Sequence, residues 1–138
     1  MHRRCSATAS VSTATSLLAA AGLLQGRGAA THWAMCDDLQ RLFPEVQVDA
    51  ESIFVEQEHL WTSAGASAGT DLALALVEAD CGREVAMQVA RELVVFLKRP
   101  GGQSQFSEHL LSQMTVHPRV RDIQDYIHRT PKADLSVK

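Results

Sequence analysis

An amphipathic pattern runs over residues 84–97 and then stops at Lys98-Arg99-Pro100-Gly101-Gly102. Val85, Val89, Leu93 and Leu97 recur every four residues, joined by Ala86, Ala90 and Val94, while Glu84, Gln88 and Arg91 face away, so the spacing predicts a helix with one buried side. Proline has no backbone N–H to donate and two glycines follow it, so no helix continues across this point. The stop is read as a seam between two packing units. Residues 1–100 are expected to form one unit, 101–118 a linker, and 119–138 the opening of another.

On the N-terminal side the character alternates. Residues 1–11 are rich in Ser, Ala and Arg and give no convincing strand. Ser12-Thr13-Ala14-Thr15-Ser16 supplies helix-cap candidates ahead of Leu17-Leu18-Ala19-Ala20-Ala21, and Gly26 is expected to close that helix in the left-handed conformation. A strand is expected over 29–33. Asp37 or Asp38 then opens a short helix through Leu39, Leu42 and Phe43 that Pro44 ends, and Val46 and Val48 alternate as in a strand. Ile53-Phe54-Val55 and Leu60-Trp61-Thr62 flank a polar turn and read as a hairpin. Asp71 is expected to cap a helix through Leu72, Leu74, Leu76 and Val77, apolar on nearly every side and so buried. The alternation of strands and helices predicts an α/β fold, with too few strands for a doubly wound sheet covered on both faces.

Beyond the seam, residues 107–116 carry a weaker helical pattern that Pro118 ends. Val120, Ile123 and Ile127 then mark an amphipathic helix broken by Pro131, and Asp134-Leu135-Ser136 reads as the opening of another.

Composition narrows the function classes. At 138 residues, with 46% hydrophobic and 21% charged residues, the chain is an ordinary globular length and mix, and its net charge of −3 argues against a basic nucleic-acid footprint. Cys5, Cys36 and Cys81 are odd in number and widely spaced, without CxxC or Cys/His zinc spacing, so neither a disulfide framework nor a metal is expected, and a reducing cytoplasm fits. His2-Arg3-Arg4 followed by an apolar stretch has the outline of a secretory signal. Gly22 interrupts that stretch, however, and Gln25 and Arg27 precede the small residues a cleavage site would need. No run approaches the ~20 apolar residues of a membrane span, so no membrane partner is expected.

Candidate binding residues follow from the glycine spacing. Thr62-Ser63-Ala64-Gly65 at the start of a helix offers backbone N–H groups to a polar or anionic ligand, although such turns also serve packing. Trp33 and Trp61 are candidates to line a small-ligand site or to fill the core. His59, His109, His117 and His128 lack paired spacing and read as solvated surface residues. No HExxH occurs.

Several blocks together carry a family resemblance: residues 18–24, Thr31-His32-Trp33, Trp61-Thr62-Ser63-Ala64-Gly65, residues 69–74, residues 90–107 and residues 133–137. Over residues 12–138 the sequence resembles AraC/XylS-family transcription regulators that carry a class I glutamine amidotransferase-like (ThiJ/PfpI-like) domain ahead of a helix-turn-helix domain. The resemblance implies a partial three-layer, flavodoxin-like sandwich holding the C-terminal part of the sensor, then a helical linker, then the first helix of a domain cut before its recognition helices. It also implies a nucleophile elbow, at which the family presents Cys followed by Thr or Ser and then Gly.

The matching residues here are Ser12-Thr13-Ala14, and both departures weaken an enzymatic reading. A Ser hydroxyl needs a positioned base, and the strained elbow suits Gly better than Ala. Ser12 as a cap of the following helix competes with Ser12 as a degenerate nucleophile. Cys5 lies seven positions earlier and is no substitute. His32 falls where such folds place the partner of the nucleophile, against the alternative of a structural His beside Trp33. The resemblance thus implies a cytoplasmic, ligand-responsive regulator without an intact catalytic site. Its effector would be a small molecule such as a nitrogenous metabolite, contacted by Ser12, His32, Thr62, Ser63 and Gly65. It implies no cofactor, a homo-oligomer, and DNA binding only through downstream helices. The enzyme alternative is an isonitrile hydratase or amidase of the same fold.

Overall fold

The computed structural model describes residues 7–102, 104, 105 and 118–130, and these fall into two units, Met1–Gln105 and Phe106–Lys138. In the first unit the central element is β5, Leu60–Ser63, whose four residues are all buried. β4, Phe54–Gln57, runs antiparallel to it with Phe54 opposite Ser63 and Gln57 opposite Leu60, which is the expected hairpin, turning at Glu58 with φ of 57°. On its other edge β5 takes β1, Thr8–Val11, in parallel, with Thr8 opposite Leu60 and Val11 opposite Ser63. β1 lies where no strand was expected. Its Thr-Ala-Ser-Val sequence lacks bulky β-formers, and its pairing with a buried strand about fifty residues away overrides that weak local preference.

A second, two-stranded parallel sheet pairs β2, Gly28–Ala29, with β3, Gln47–Val48. Of the strand expected over 29–33 only Ala29 lies in β2, because the chain turns at Trp33–Met35 into a 3-10 turn and then α2, Cys36–Leu42. α1, Thr15–Ala20, ends earlier than expected. Gly22, with φ of 73°, is the left-handed residue, and its N–H bonds Ala19 O while that of Leu23 bonds Leu18 O, the paired closure of a Schellman motif. Gly26 is left-handed as well, but in the turn that follows.

The principal core gathers Ala19, Leu24, Ala29, Leu39, Val46 and Leu60, so α1, α2 and both sheets share one apolar interior. Complete burial of Leu24 alone is worth roughly 1.5–3 kcal/mol of apolar transfer. Ile53, Ala64 and Ala68 form a smaller cluster under Phe54.

α3, Ala66–Cys81, begins at a Gly65 cap rather than at Asp71. Asp71 sits within the helix and is 3% exposed, its carboxylate taken up by Arg99 instead of by the helix start. The helix is less uniformly buried than its sequence implied, with Ala73 exposed and Leu76 and Val77 half-buried. α4, Arg83–Glu92, ends five residues earlier than the periodicity over 84–97 suggests. Val94 takes a left-handed φ of 54°, with its N–H on Arg91 O and that of Val95 on Ala90 O, which closes the helix before the apolar period runs out. Leu93, Val94, Phe96 and Leu97 are consequently exposed.

The described part of the second unit is α5, Pro118–Arg129. Pro118 opens this helix, at the position where a missing N–H costs least. Val120, Ile123, Tyr126 and Ile127 on it are exposed. The helical patterns expected over 107–116 and 134–136 lie outside the described residues, as do Cys5, His109 and His117. No described helix is long and apolar enough to cross a membrane.

Candidate functional site

The C-terminal ends of β1 and β5 point to the same region, and a ring of buried hydroxyls fixes it. Ser10 and Thr15 share a hydroxyl–hydroxyl bond of 2.9 Å, and Thr15 donates to Ala30 O at 3.0 Å. The Ala30 N–H donates to Thr62 Oγ1 at 2.8 Å, and Ser63 Oγ donates to Ser10 O at 3.4 Å. Among the described residues every buried side-chain polar atom has a partner. Ser10, one of the small polar residues that made β1 hard to read, is therefore a joint that ties it to α1 and β5.

Directly after β1 the chain turns through Ser12, whose φ of 60° lies in the left-handed region that a non-glycine residue seldom adopts. A 3-10 turn over Ser12–Ala14 leads into α1, so a strand passes sharply into a helix at this residue. Thr31 donates its hydroxyl to the Ser12 carbonyl at 3.0 Å and holds the turn from outside. The Ser12 side chain caps neither the turn nor α1, which removes the helix-cap reading. No hydrogen bond joins Ser12 to His32.

His32 precedes the 3-10 turn at Trp33, and its Nδ1 accepts from the Ala34 N–H at 3.3 Å. That bond places the proton of neutral imidazole on Nε2. Its ring leans on Trp33 with centroids 5.2 Å apart, and its Cδ2 lies 3.8 Å from where a Cβ on Gly65 would sit.

His32, Trp33 and Gly65 line a pocket of about 190 Å³ together with Ile53, Ala64, Ser67, Ala68, Arg99 and Gln105. Of the five residues expected to contact a ligand, this pocket brings together His32 and Gly65. Thr62 and Ser63 are 1% and 0% exposed, with hydroxyls committed inside the sheet, and Ser12 stands at the elbow outside the lining. Trp33, 55% exposed, is a wall residue, whereas Trp61 is buried in the sheet.

Arg99 and Gln105 are the pocket residues that sequence reasoning missed. The Arg99 backbone N–H and Nε donate to Asp71 Oδ1 and Oδ2 at 2.8 and 2.9 Å, and its Nη2 reaches Ser67 Oγ at 3.2 Å. Gln105 Nε2 donates to the carbonyls of Thr31 and Ser52, both at 3.1 Å. Two carbonyl partners fix which end of the amide faces them, so the unpartnered oxygen is Oε1. The signal for Arg99 was an acidic residue embedded in an otherwise apolar helix, since a buried carboxylate needs a cation.

Two groups near the site titrate away from their ordinary values. Burial raises Cys36, and the charges of Asp37 and Asp49 add to it. For Asp49 burial pulls upward, but hydrogen bonds from the Ser52 N–H and hydroxyl and the Glu51 N–H outweigh it and hold the carboxyl low. Among the described residues no group of three or more His, Cys, Asp or Glu side chains is placed to hold a metal.

Comparison with known proteins bears on the fold and the family. Two HTH-type transcriptional regulators of Pseudomonas aeruginosa match: CdhR at 37% identity over 65% of this chain, and ArgR at 41% over 64%. Each match covers 26% of the regulator, so the chain spans about a quarter of the length of these relatives. An isonitrile hydratase of Pseudomonas putida is 39% identical over 61% of this chain and 36% of its own length. A THiJ/PfpI family protein from Pseudomonas syringae superposes with a TM-score of 0.61 at 25% identity, covering 91% of this chain and 48% of that structure. An AraC family transcriptional regulator from Pseudomonas putida shares the fold at TM-score 0.57 and 21% identity, over 62% of this chain and 45% of that structure. The α/β fold is thus the flavodoxin-like fold of these proteins, and the family model for DJ-1/PfpI covers residues 1–79. The chain belongs to the DJ-1/PfpI family.

Proposed function

We propose that this chain is the ligand-sensing part of a DNA-binding transcription regulator, and that its pocket binds a small polar effector without turning it over. Residues 1–100 are the sensor, 101–118 the linker and 119–138 the start of the DNA-binding part, with a homo-oligomer as the working form. The observation that carries the reading is the pairing of an unassisted Ser12 with a pocket lined by His32, Trp33, Arg99 and Gln105. A serine without a hydrogen-bonded base is a poor nucleophile, whereas a pocket with an imidazole N–H, a guanidinium and a fixed amide oxygen is equipped to bind. The similarity to two transcriptional regulators supports the same conclusion. A volume near 190 Å³ suits a molecule of amino-acid size.

The enzyme reading draws on the isonitrile hydratase relative. One experiment separates the two. In the Trp61→Phe variant, Trp33 is the sole tryptophan, and its fluorescence is titrated with small amines, amino acids and amides while product formation from an isonitrile and an amide is followed. Saturable fluorescence change that His32→Ala abolishes, without turnover, is the expected result. Steady turnover lost in Ser12→Ala but retained in Cys5→Ala would overturn the proposal.

A further inference from the structure

The segment that follows α4 does not leave the sensor freely. Residues 98–102, with Ser104 and Gln105, cross the pocket and are fastened on both sides of it. On the α3 side, Lys98 pairs with Glu78, and Arg99 grips Asp71 through both its backbone and its side chain. On the β4 side, Gly101 O accepts from the N–H groups of Ile53 and Phe54 at 2.9 and 3.3 Å, and the Gln105 N–H donates to Glu51 O at 2.7 Å. Gly101 lies so close that a Cβ there would stand 2.7 Å from the Phe54 carbonyl oxygen, so this crossing requires glycine.

Two properties set this strap apart from the rest of the unit. Its attachments are ion pairs and hydrogen bonds, while the residues leading into it are exposed, with Phe96 fully so. A segment held by polar contacts, with little apolar burial, opens at lower cost than the sheet it lies on. The strap also supplies two pocket walls, Arg99 and Gln105, through the same side chains that fasten it. A ligand group that engages the Arg99 guanidinium competes with Asp71, and one that engages Gln105 bears on its bonds to Thr31 and Ser52.

From this we infer that the strap is a latch: it opens and closes as one unit on a closed α/β core, so that pocket occupancy sets the position from which the chain beyond Gln105 departs. The inference rests on the effector-pocket reading and supplies its regulation.

The test is hydrogen exchange on the intact 138-residue chain, comparing wild type with Asp71→Asn and Gln105→Ala. The reporters are the amides of Ile53, Phe54, Arg99 and Gln105, whose bonds all run to or from the strap, with those of β5 as the internal reference. Each variant, though it removes contacts at one end only, is expected to speed exchange of all four reporters at least tenfold while β5 stays protected. Acceleration confined to the mutated end would overturn the latch, as would wild-type reporters that exchange only at the rate of β5. Should Asp71→Asn lose β5 protection, Gln105→Ala decides by the same criteria. Because no ligand is used, a flat Trp33 titration would remove the effector reading without touching this result, and a failed exchange experiment would remove the latch without touching the pocket.

Discussion

Replacing Val94 by Gly should stabilise the first unit, an unusual direction for losing an apolar side chain. Val94 holds a φ of 54° at the left-handed position that closes α4, where a β-branched residue is least at ease. Left-handed backbone costs an L-residue roughly 1–2 kcal/mol, and glycine escapes that cost but gives up about 0.5–1 kcal/mol in unfolded-chain freedom. Little apolar burial is forfeited, because Val94 is 87% exposed. The balance is a gain of about 0.5–1 kcal/mol. With a urea dependence of ~1–3 kcal/mol per molar for a domain of this size, the unfolding midpoint should rise by roughly 0.2–1 M, read by circular dichroism. Val94→Ala keeps the L-configuration and should recover less than half of that. An Ala variant equal to the Gly variant, or a Gly variant below wild type, would mean that the helix ending is not strained by its backbone and that the exposed valine has a packing role.

Two further outcomes follow from the charge environment. With its thiol buried and pushed up by Asp37 and Asp49, Cys36 should react with a maleimide at least tenfold more slowly than the exposed Cys81, measured peptide by peptide by mass spectrometry; equal rates would contradict its burial. Lys98 holds the Glu78 carboxyl low through its hydrogen bond and charge, and Ser52 and Glu51 hold Asp49 low. Lowered folded values mean that these groups add stability above the ordinary carboxylate range of about 4 and lose it as the pH falls through the folded values below. The urea midpoint should therefore drop below about pH 4, less steeply in Glu78→Gln; identical slopes in the two proteins would refute the assignment.

The hairpin of β4 and β5, helix α2 and the amphipathic start of α4 were legible because their apolar periods and turn residues agree with their tertiary settings. β1 was not, since Thr8-Ala9-Ser10-Val11 gains its strand character from β5 and from hydroxyl partners distant in sequence. The elbow was legible only through family resemblance, and nothing local distinguishes Ser12 as a left-handed residue from Ser12 as a cap. Part of the pocket was visible in His32, Trp33 and Gly65. Its guanidinium and amide, Arg99 and Gln105, lay in the very run that marks the seam, where proline and glycine announce a chain ending a helix but not what it crosses afterwards. Asp71 was the overlooked clue, because a helix cap and a buried ion-pair partner look alike until the helix start is fixed at Gly65.

The parallel pairing of β1 with β5 also sets an order of events during synthesis. A strand this small and polar has nothing nearby to pair with, and its partner is made only when residues 60–63 emerge. At about 5–20 residues per second, the first strand waits several seconds on the ribosome, and the bend at Ser12 cannot be locked before Thr31, Thr62 and Ser63 are all in place. β1 is thus made before its partner and becomes native only after it. For those seconds β1 is a client for whatever binds extended chain at the exit tunnel, and the quality of the finished site depends on how well it is kept from pairing elsewhere.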